Sequence, residues 1–122
     1  MVVPELHSPY LRLREEDGVL IVGFECRELD EQENIEELGY HLISLVEKYG
    51  CRKLIIDLEG VAIVGSAFLA KLITLHRRLH RGGGKLIVCG FAGAVAEALH
   101  ISRLDEYLHT AADVPSALKS FQ

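Results

Sequence analysis

A hydroxyl, two imidazoles four residues apart, two glycine-rich turns and three thiols are the groups in this chain whose types and spacing could do chemistry. The hydroxyl is the most telling. Ser66 follows an apolar run, Leu54 to Leu58, and a short loop, and it opens a helical pattern that continues to Leu79. A helix start leaves four backbone N–H groups without intrahelical partners at the positive end of the dipole. The hydroxyl can therefore cap the helix, and a phosphate carried on it would be tolerated. Three uses are open: a cap alone, worth about 1 kcal/mol, a phosphorylated switch, or a catalytic nucleophile. Hydrolytic use would favour a Gly-x-Ser-x-Gly elbow, whereas the chain reads Val64-Gly65-Ser66-Ala67-Phe68, and nothing assembles a triad.

The other groups have plain structural readings beside the chemical ones. His76 and His80 share a helical face and could ligate a metal, but no Glu follows His76 as in a His-Glu-x-x-His motif and the sequence offers no third ligand. Gly82-Gly83-Gly84-Lys85 invites comparison with a phosphate-binding loop; here a helix precedes and a strand follows, the reverse of that context, and Leu86 stands where Ser or Thr belongs. Gly90-Phe91-Ala92-Gly93 does pass from strand to helix, as in a dinucleotide fingerprint, without the third glycine or the downstream acid. A tight turn explains both glycines. A ligand pocket formed by Asp57, Gly90 and Gly93 is the chemical alternative. Cys26, Cys51 and Cys89 are scattered, with no Cys-x-x-Cys pair, and read as small thiols in a reducing compartment. No metal centre and no cofactor is expected.

The elements that must position these groups follow from composition and period. The chain has 122 residues, 49% hydrophobic and 25% charged, which suits one compact domain over 1–122 with a core of its own and residues 1–9 as an N-terminal extension free to move. No apolar run approaches the ~18 residues that span a bilayer and the start is no signal peptide, so a cytoplasmic protein is expected. The net charge of −5 speaks against nucleic acid as main partner. Residues 1–50 carry 12 acids and 4 bases, whereas residues 51–122 carry 6 acids and 9 bases. Lys71, Arg77, Arg78, Arg81 and Lys85 could form a basic flank for an acidic partner or a phosphate, or simply a solvated helix face.

Tyr10 to Leu13 and Val19 to Phe24 read as strands joined at Asp17-Gly18, a hairpin signal. A helical period runs from Asp30 or Asn34 to Tyr49, with Asn34 and Glu37 as a capping pair and Gly50 as the stop. Lys53 to Leu58 is a strand covered on both faces. The helix from Ser66, a strand at Lys85 to Cys89, a helix from Ala92 to Leu99 and another from Val114 to Phe121 complete the order. This predicts an α/β fold with a mixed sheet of four to five strands, parallel crossovers and about four helices mainly on one side. Within the Ser66 helix, Phe68 and Leu75 lie on one stripe while Leu69, Leu72, Ile73 and Leu79 mark another. If the second stripe faces the sheet, Phe68 and Leu75 form an exposed binding patch beside Ser66; the alternative puts both in the core.

The segment from Val46 to Leu118 resembles a STAS domain of the anti-sigma-factor-antagonist family. That family shows a strand ending in Asp, then Asp-Ser-Ser-Gly-Leu opening a helix, a Gly-Gly turn, a strand, a helix, a Leu-Asp-x-x-Leu-like segment and a final Ala-Leu helix. The counterparts here are Asp57, Gly65-Ser66-Ala67-Phe68-Leu69, Gly82 to Gly84, Leu86 to Cys89, Leu104-Asp105-Glu106-Tyr107-Leu108 and Ala117-Leu118. The motif is altered: Gly65 replaces the acid, Ala67 a hydroxyl residue and Phe68 the glycine. The resemblance implies a STAS-like fold and a non-enzymatic regulator whose serine is phosphorylated by an anti-sigma kinase, only the unmodified form binding that kinase. It implies Ser66 as acceptor, with Gly65, Ala67, Phe68, Lys71 and Leu75 as candidate contacts. The partner would be an anti-sigma factor or serine-kinase-like protein, with no nucleic acid and no membrane; a homodimer is compatible with the sequence. Two alternatives stand beside this: a STAS scaffold that is never phosphorylated, and a small-molecule or nucleotide sensor.

Overall fold

The computed structural model describes residue 4, residues 6–30 and residues 32–122, with side chains for all of these but 32 and 33. In chain order the elements are β1 (Leu11–Glu16), β2 (Val19–Phe24), β3 (Glu28–Leu29), α1 (Gln32–Glu47), β4 (Lys53–Asp57), β5 (Ile63–Val64), α2 (Ser66–Arg81), β6 (Lys85–Cys89), α3 (Gly93–Ile101), α4 (Leu104–Tyr107), β7 (His109–Ala111) and α5 (Val114–Lys119). Five strands form one mixed sheet in the order β1-β2-β4-β6-β7; β3 and β5 form a separate parallel pair. Of the N-terminal extension, residues 1–3 and 5 lie outside the described residues. Leu6 packs on the core and Ser8 Oγ lies 2.8 Å from His41 Nδ1.

The hairpin forms as its dipeptide dictates. Asp17 and Gly18 have φ of 55° and 81°, the left-handed pair of a tight two-residue turn, and β1 pairs antiparallel to β2 from Leu11↔Phe24 to Glu16↔Val19. The next three pairings are parallel: β2 with β4, β4 with β6, and β6 with β7. Alternation then splits each central strand between two cores. Leu20, Val22, Leu54, Ile56, Leu86 and Val88 face the larger one, which α1, α2 and α3 cover; Val19, Ile21, Ile55, Ile87 and Cys89 face the smaller one, closed by Val114 and Ala117 of α5. A five-residue apolar strand buried on both faces is the sequence pattern this requires.

Helix α2 settles which of its stripes is inside. Phe68, Leu72, Leu75 and Leu79, spaced four, three and four, are all fully buried, and the Phe68 ring meets Phe24 edge-on at 5.6 Å. Leu69 and Ile73 sit about 100° further round the helix, half-buried at the edge of the same core. Of the two alternatives for Phe68 and Leu75 the core holds and the exposed patch does not: neither can touch a partner directly, because both share a face with Leu72 and Leu79 rather than opposing it.

The triple glycine after α2 is a packing device. A Cβ on Gly84 would overlap the Arg52 carbonyl oxygen, and Gly83 has φ of +81°. That close approach lets Lys85 N donate to Arg52 O at 2.8 Å, starting β6 beside β4. Asn34 and Glu37 do not cap α1, which begins at Gln32; their side chains instead receive the Tyr10 hydroxyl, at 3.3 and 2.9 Å. The final helix is capped by Asp113, whose carboxylate accepts the Ser116 N–H at 2.9 Å with Pro115 in the first turn.

Two expectations follow. Phe68→Ala should lower unfolding free energy by about 3–5 kcal/mol in urea titrations, as for a core aromatic; unchanged stability would return Phe68 to the surface. The Ser116 N–H and hydroxyl hold the Asp113 carboxyl below its usual 3.8. A depressed carboxyl stabilises the fold above the unfolded value, and that contribution is lost as pH falls through the folded one. Asp113→Asn keeps a cap that does not titrate, so the melting-temperature advantage of wild type over Asp113→Asn should shrink on acidification below pH 3.8.

Candidate functional site

The start of α2 is held from outside the main sheet. Strands β3 and β5 pair Glu28 with Ile63 and Leu29 with Val64, Ala62 N donates to Arg27 O at 2.7 Å, and Gly65 N donates to Leu29 O at 2.9 Å. Gly65 is the cap residue, with φ −102° and ψ 172° and no side chain to close the helix end. Ser66 is thus the first helical residue and not the cap expected of it, one position too late to reach back to the orphan donors. Leu69 N is the first to find an intrahelical acceptor, Gly65 O at 3.2 Å. The N–H groups of Ser66, Ala67 and Phe68 have none within the helix.

Ser66 is exposed, and no hydrogen bond to its hydroxyl occurs among the described residues. Around it Gly65 and Ala67 are half-buried, Ala62, Ile63 and Ala70 are exposed, and Ile63 shows 42% of its surface. A Cβ on Gly65 would lie 3.2 Å from Asp30 Cα and 3.4 Å from its Cβ, so Gly65 admits Asp30 next to the helix start. Asp30 was not legible as a site residue, since only the β3–β5 pairing brings it here. Lys71 is engaged inside the chain: its stem crosses Gly39 of α1, where an added Cβ would fall 2.6 Å from Lys71 Cδ, and its ammonium lies 3.5 Å from Glu36.

The second candidate site comes together in part. Asp57 and Gly90 line a cleft of about 490 Å³ with Arg14, Glu59, Phe91 and Asp113, at the C-terminal ends of β4 and β6. Gly93 is not in its lining and faces open space. Asp57 Oδ1 accepts the Glu59 N–H at 3.1 Å, and Gly90, with φ +73°, presses against both. Three carboxylates oppose one arginine that is already paired with Glu16 at 2.8 Å, a balance that opposes the phosphates of a nucleotide.

Cys51 and Cys89 are buried, structural thiols: burial pushes Cys89 up to about 12, with Asp57 adding to it, and burial raises Cys51. The fold brings His109 to 5.8 Å, ring to ring, from His76, which stacks on His80 at 6.2 Å. Still, no group of three His, Cys, Asp or Glu side chains among the described residues is set to hold a metal. The five basic residues do not form one flank. Lys71 pairs with Glu36, Arg78 with Glu47 at 2.7 Å, and Lys85 donates to Ser120 O at 3.3 Å. No helix among the described residues is long and apolar enough to cross a membrane.

Solved structures share this arrangement. An anti-sigma-factor antagonist (STAS) domain protein from Planctomyces limnophilus superposes with a TM-score of 0.80 at 23% identity, covering 92% of this chain and 97% of that one. An anti-sigma factor antagonist from Mycobacterium paratuberculosis gives 0.80 and 23%, covering 94% and 97%. The Bacillus cell fate determinant SpoIIAA in its phosphorylated form gives 0.68 and 14%, covering 92% and 99%. These likenesses establish the fold. The STAS domain family model matches residues 10–117, from the first sheet strand to the last helix, and the chain belongs to the STAS domain family.

Proposed function

We propose that this STAS domain is a non-enzymatic partner switch of the anti-sigma-factor-antagonist kind, working in the cytoplasm, with Ser66 as its phosphate acceptor. One observation carries the reading: an exposed hydroxyl with no hydrogen bond among the described residues stands on the first residue of a helix whose first turn is pinned in the core by Phe68. A phosphoryl group there brings a charge of about −1.5 to −2 and three acceptor oxygens. The unfilled N–H groups of Ser66, Ala67 and Phe68 and the positive helix end receive it. The modification therefore leaves the helix in place and changes what the surface presents: a neutral, partly apolar patch of Gly65, Ala67 and Ile63 becomes a dianion beside Asp30. A partner that docks on that patch loses its contact and meets repulsion.

The contacts divide by depth. Gly65 and Ala67 touch the partner, Lys71 borders the surface, and Phe68 and Leu75 support it from below. The solved fold includes SpoIIAA in both phosphorylated and unphosphorylated forms, which supports the idea that such a modification is compatible with it. The departures at Gly65, Ala67 and Phe68 favour one other reading, an unphosphorylated scaffold, since no acid precedes the serine in the chain; the acid that comes near is Asp30, whose Cα and Cβ pack beside Gly65.

The full chain incubated with ATP and the anti-sigma-type serine kinase of its host should gain the mass of one phosphoryl group on the peptide containing Ser66. Ser66→Asp should bind that partner at least about tenfold more weakly than Ser66→Ala. No label, together with equal binding of both variants, would overturn the switch and leave the scaffold.

A further inference from the structure

The C-terminal half of α2 carries a cluster that partner switching does not use. His76 and His80, and Arg77 and Arg81, are two pairs four residues apart in adjacent rows of the helix. With Tyr107 of α4 they line a cleft of about 350 Å³, and no carboxylate lines it. Arg77 and Arg81 make no ion pair among the described residues, whereas Lys71 and Arg78 of the same helix are held by Glu36 and Glu47. Basic residues in a last turn are what a helix C-terminus favours. A concave site with two unpaired guanidiniums and no acid goes beyond that.

The imidazole at its centre distinguishes an anion from a metal. His76 Nδ1 is sealed from solvent with no hydrogen-bond partner among the described residues, and the residue lines the cleft, which leaves Nε2 as the nitrogen to meet a ligand. A metal on Nε2 would force the proton onto Nδ1, and a ligating histidine almost always donates that proton to an acceptor; here there is none. An anion at Nε2 needs the opposite tautomer, with the N–H turned to the cleft and Nδ1 bare. Burial, with His109 and His80 nearby, holds the His76 pKa below its usual range, so the ring is neutral at neutral pH and offers that single N–H. The Tyr107 ring walls the site, meeting His76 at 5.1 Å.

We propose that this cleft binds the phosphoryl group of a small phosphorylated molecule, with Arg77 and Arg81 as the charged arms and His76 Nε2–H as a further donor. Planar guanidiniums suit the oxygens of a phosphate, each able to give two parallel hydrogen bonds. The site lies at the opposite end of α2 from Ser66, so it is independent of the switch.

Inorganic phosphate and, separately, pyrophosphate titrated into the full chain at constant ionic strength, followed by NMR of backbone amides and histidine Cε1–H, test it. The expected result is saturable shifts centred on His76, Arg77, His80, Arg81 and Tyr107, with affinity at least about tenfold lower in the Arg77→Gln/Arg81→Gln double variant. Both replaced side chains are exposed, and a conserved amide spectrum checks that the variant is folded. Unsaturable shifts at every basic residue, shifts centred on the Ser66 helix start, or equal binding by the double variant would overturn the proposal. So would zinc saturating His76, His80 and His109 while phosphate leaves them unmoved.

Discussion

The burial of Phe68, Leu72, Leu75 and Leu79 against the sheet is the interaction on which the rest of the molecule depends. It fixes the rotation of α2. With that face inside, Ser66 and Ala70 point to solvent, Lys71 crosses Gly39 onto α1, and the pair Arg77 and Arg81 stands outside. A rotation by one residue, about 100°, would bury charge and expose leucine. The constraint at the other end is the hydrogen bond from Gly65 N to Leu29 O, which stops the helix start from sliding along the sheet. Together they make the first turn a rigid platform.

Electrostatics then gives the surface three distinct characters. The start of α2 offers unfilled backbone donors with Asp30 nearby; its far end offers two guanidiniums with no ion pair among the described residues; the cleft at the strand ends, around Asp57, Glu59 and Asp113, is acidic. The two proposed anion sites fall at the first two of these places, and the charge of the third opposes one. The acidic first half of the chain and the basic second half thus do not simply face each other across the fold. Some charges pair between halves, as Arg78 with Glu47 and Lys71 with Glu36 do, whereas Arg77 and Arg81 make no ion pair among the described residues.

Much of this was legible from period and turn chemistry. The Asp17-Gly18 hairpin, the strand at Lys85–Cys89 and the helix from Ser66 to Arg81 are local events, decided by left-handed dihedrals, strand alternation and helical spacing, and they stand where those signals put them. What was not legible is non-local. The two-residue pair β3 and β5 has no pattern long enough to show, yet it brings Asp30 to the helix start. The short α4 and β7 were missed for the same reason, and with them the approach of His109 and Tyr107 to His76. Phe68 and Leu75 were ambiguous because a helix with apolar residues at 68, 69, 72, 73, 75 and 79 offers two overlapping stripes, and only the neighbouring strands decide between them. Ser66 was one position from the cap because a glycine can fill that role without a side chain.

The central claim is that Ser66 sits on a helix already formed and anchored, so that a charge added to it alters docking and not folding. Amide hydrogen exchange on the unmodified and the Ser66-phosphorylated chain measures this most directly. The account expects equal protection of the amides from Leu69 to Arg81 in both forms, with changes confined to the segment around Gly65 and Ala67. Loss of protection along the helix in the phosphorylated chain would contradict it, since the phosphate would then act by melting α2.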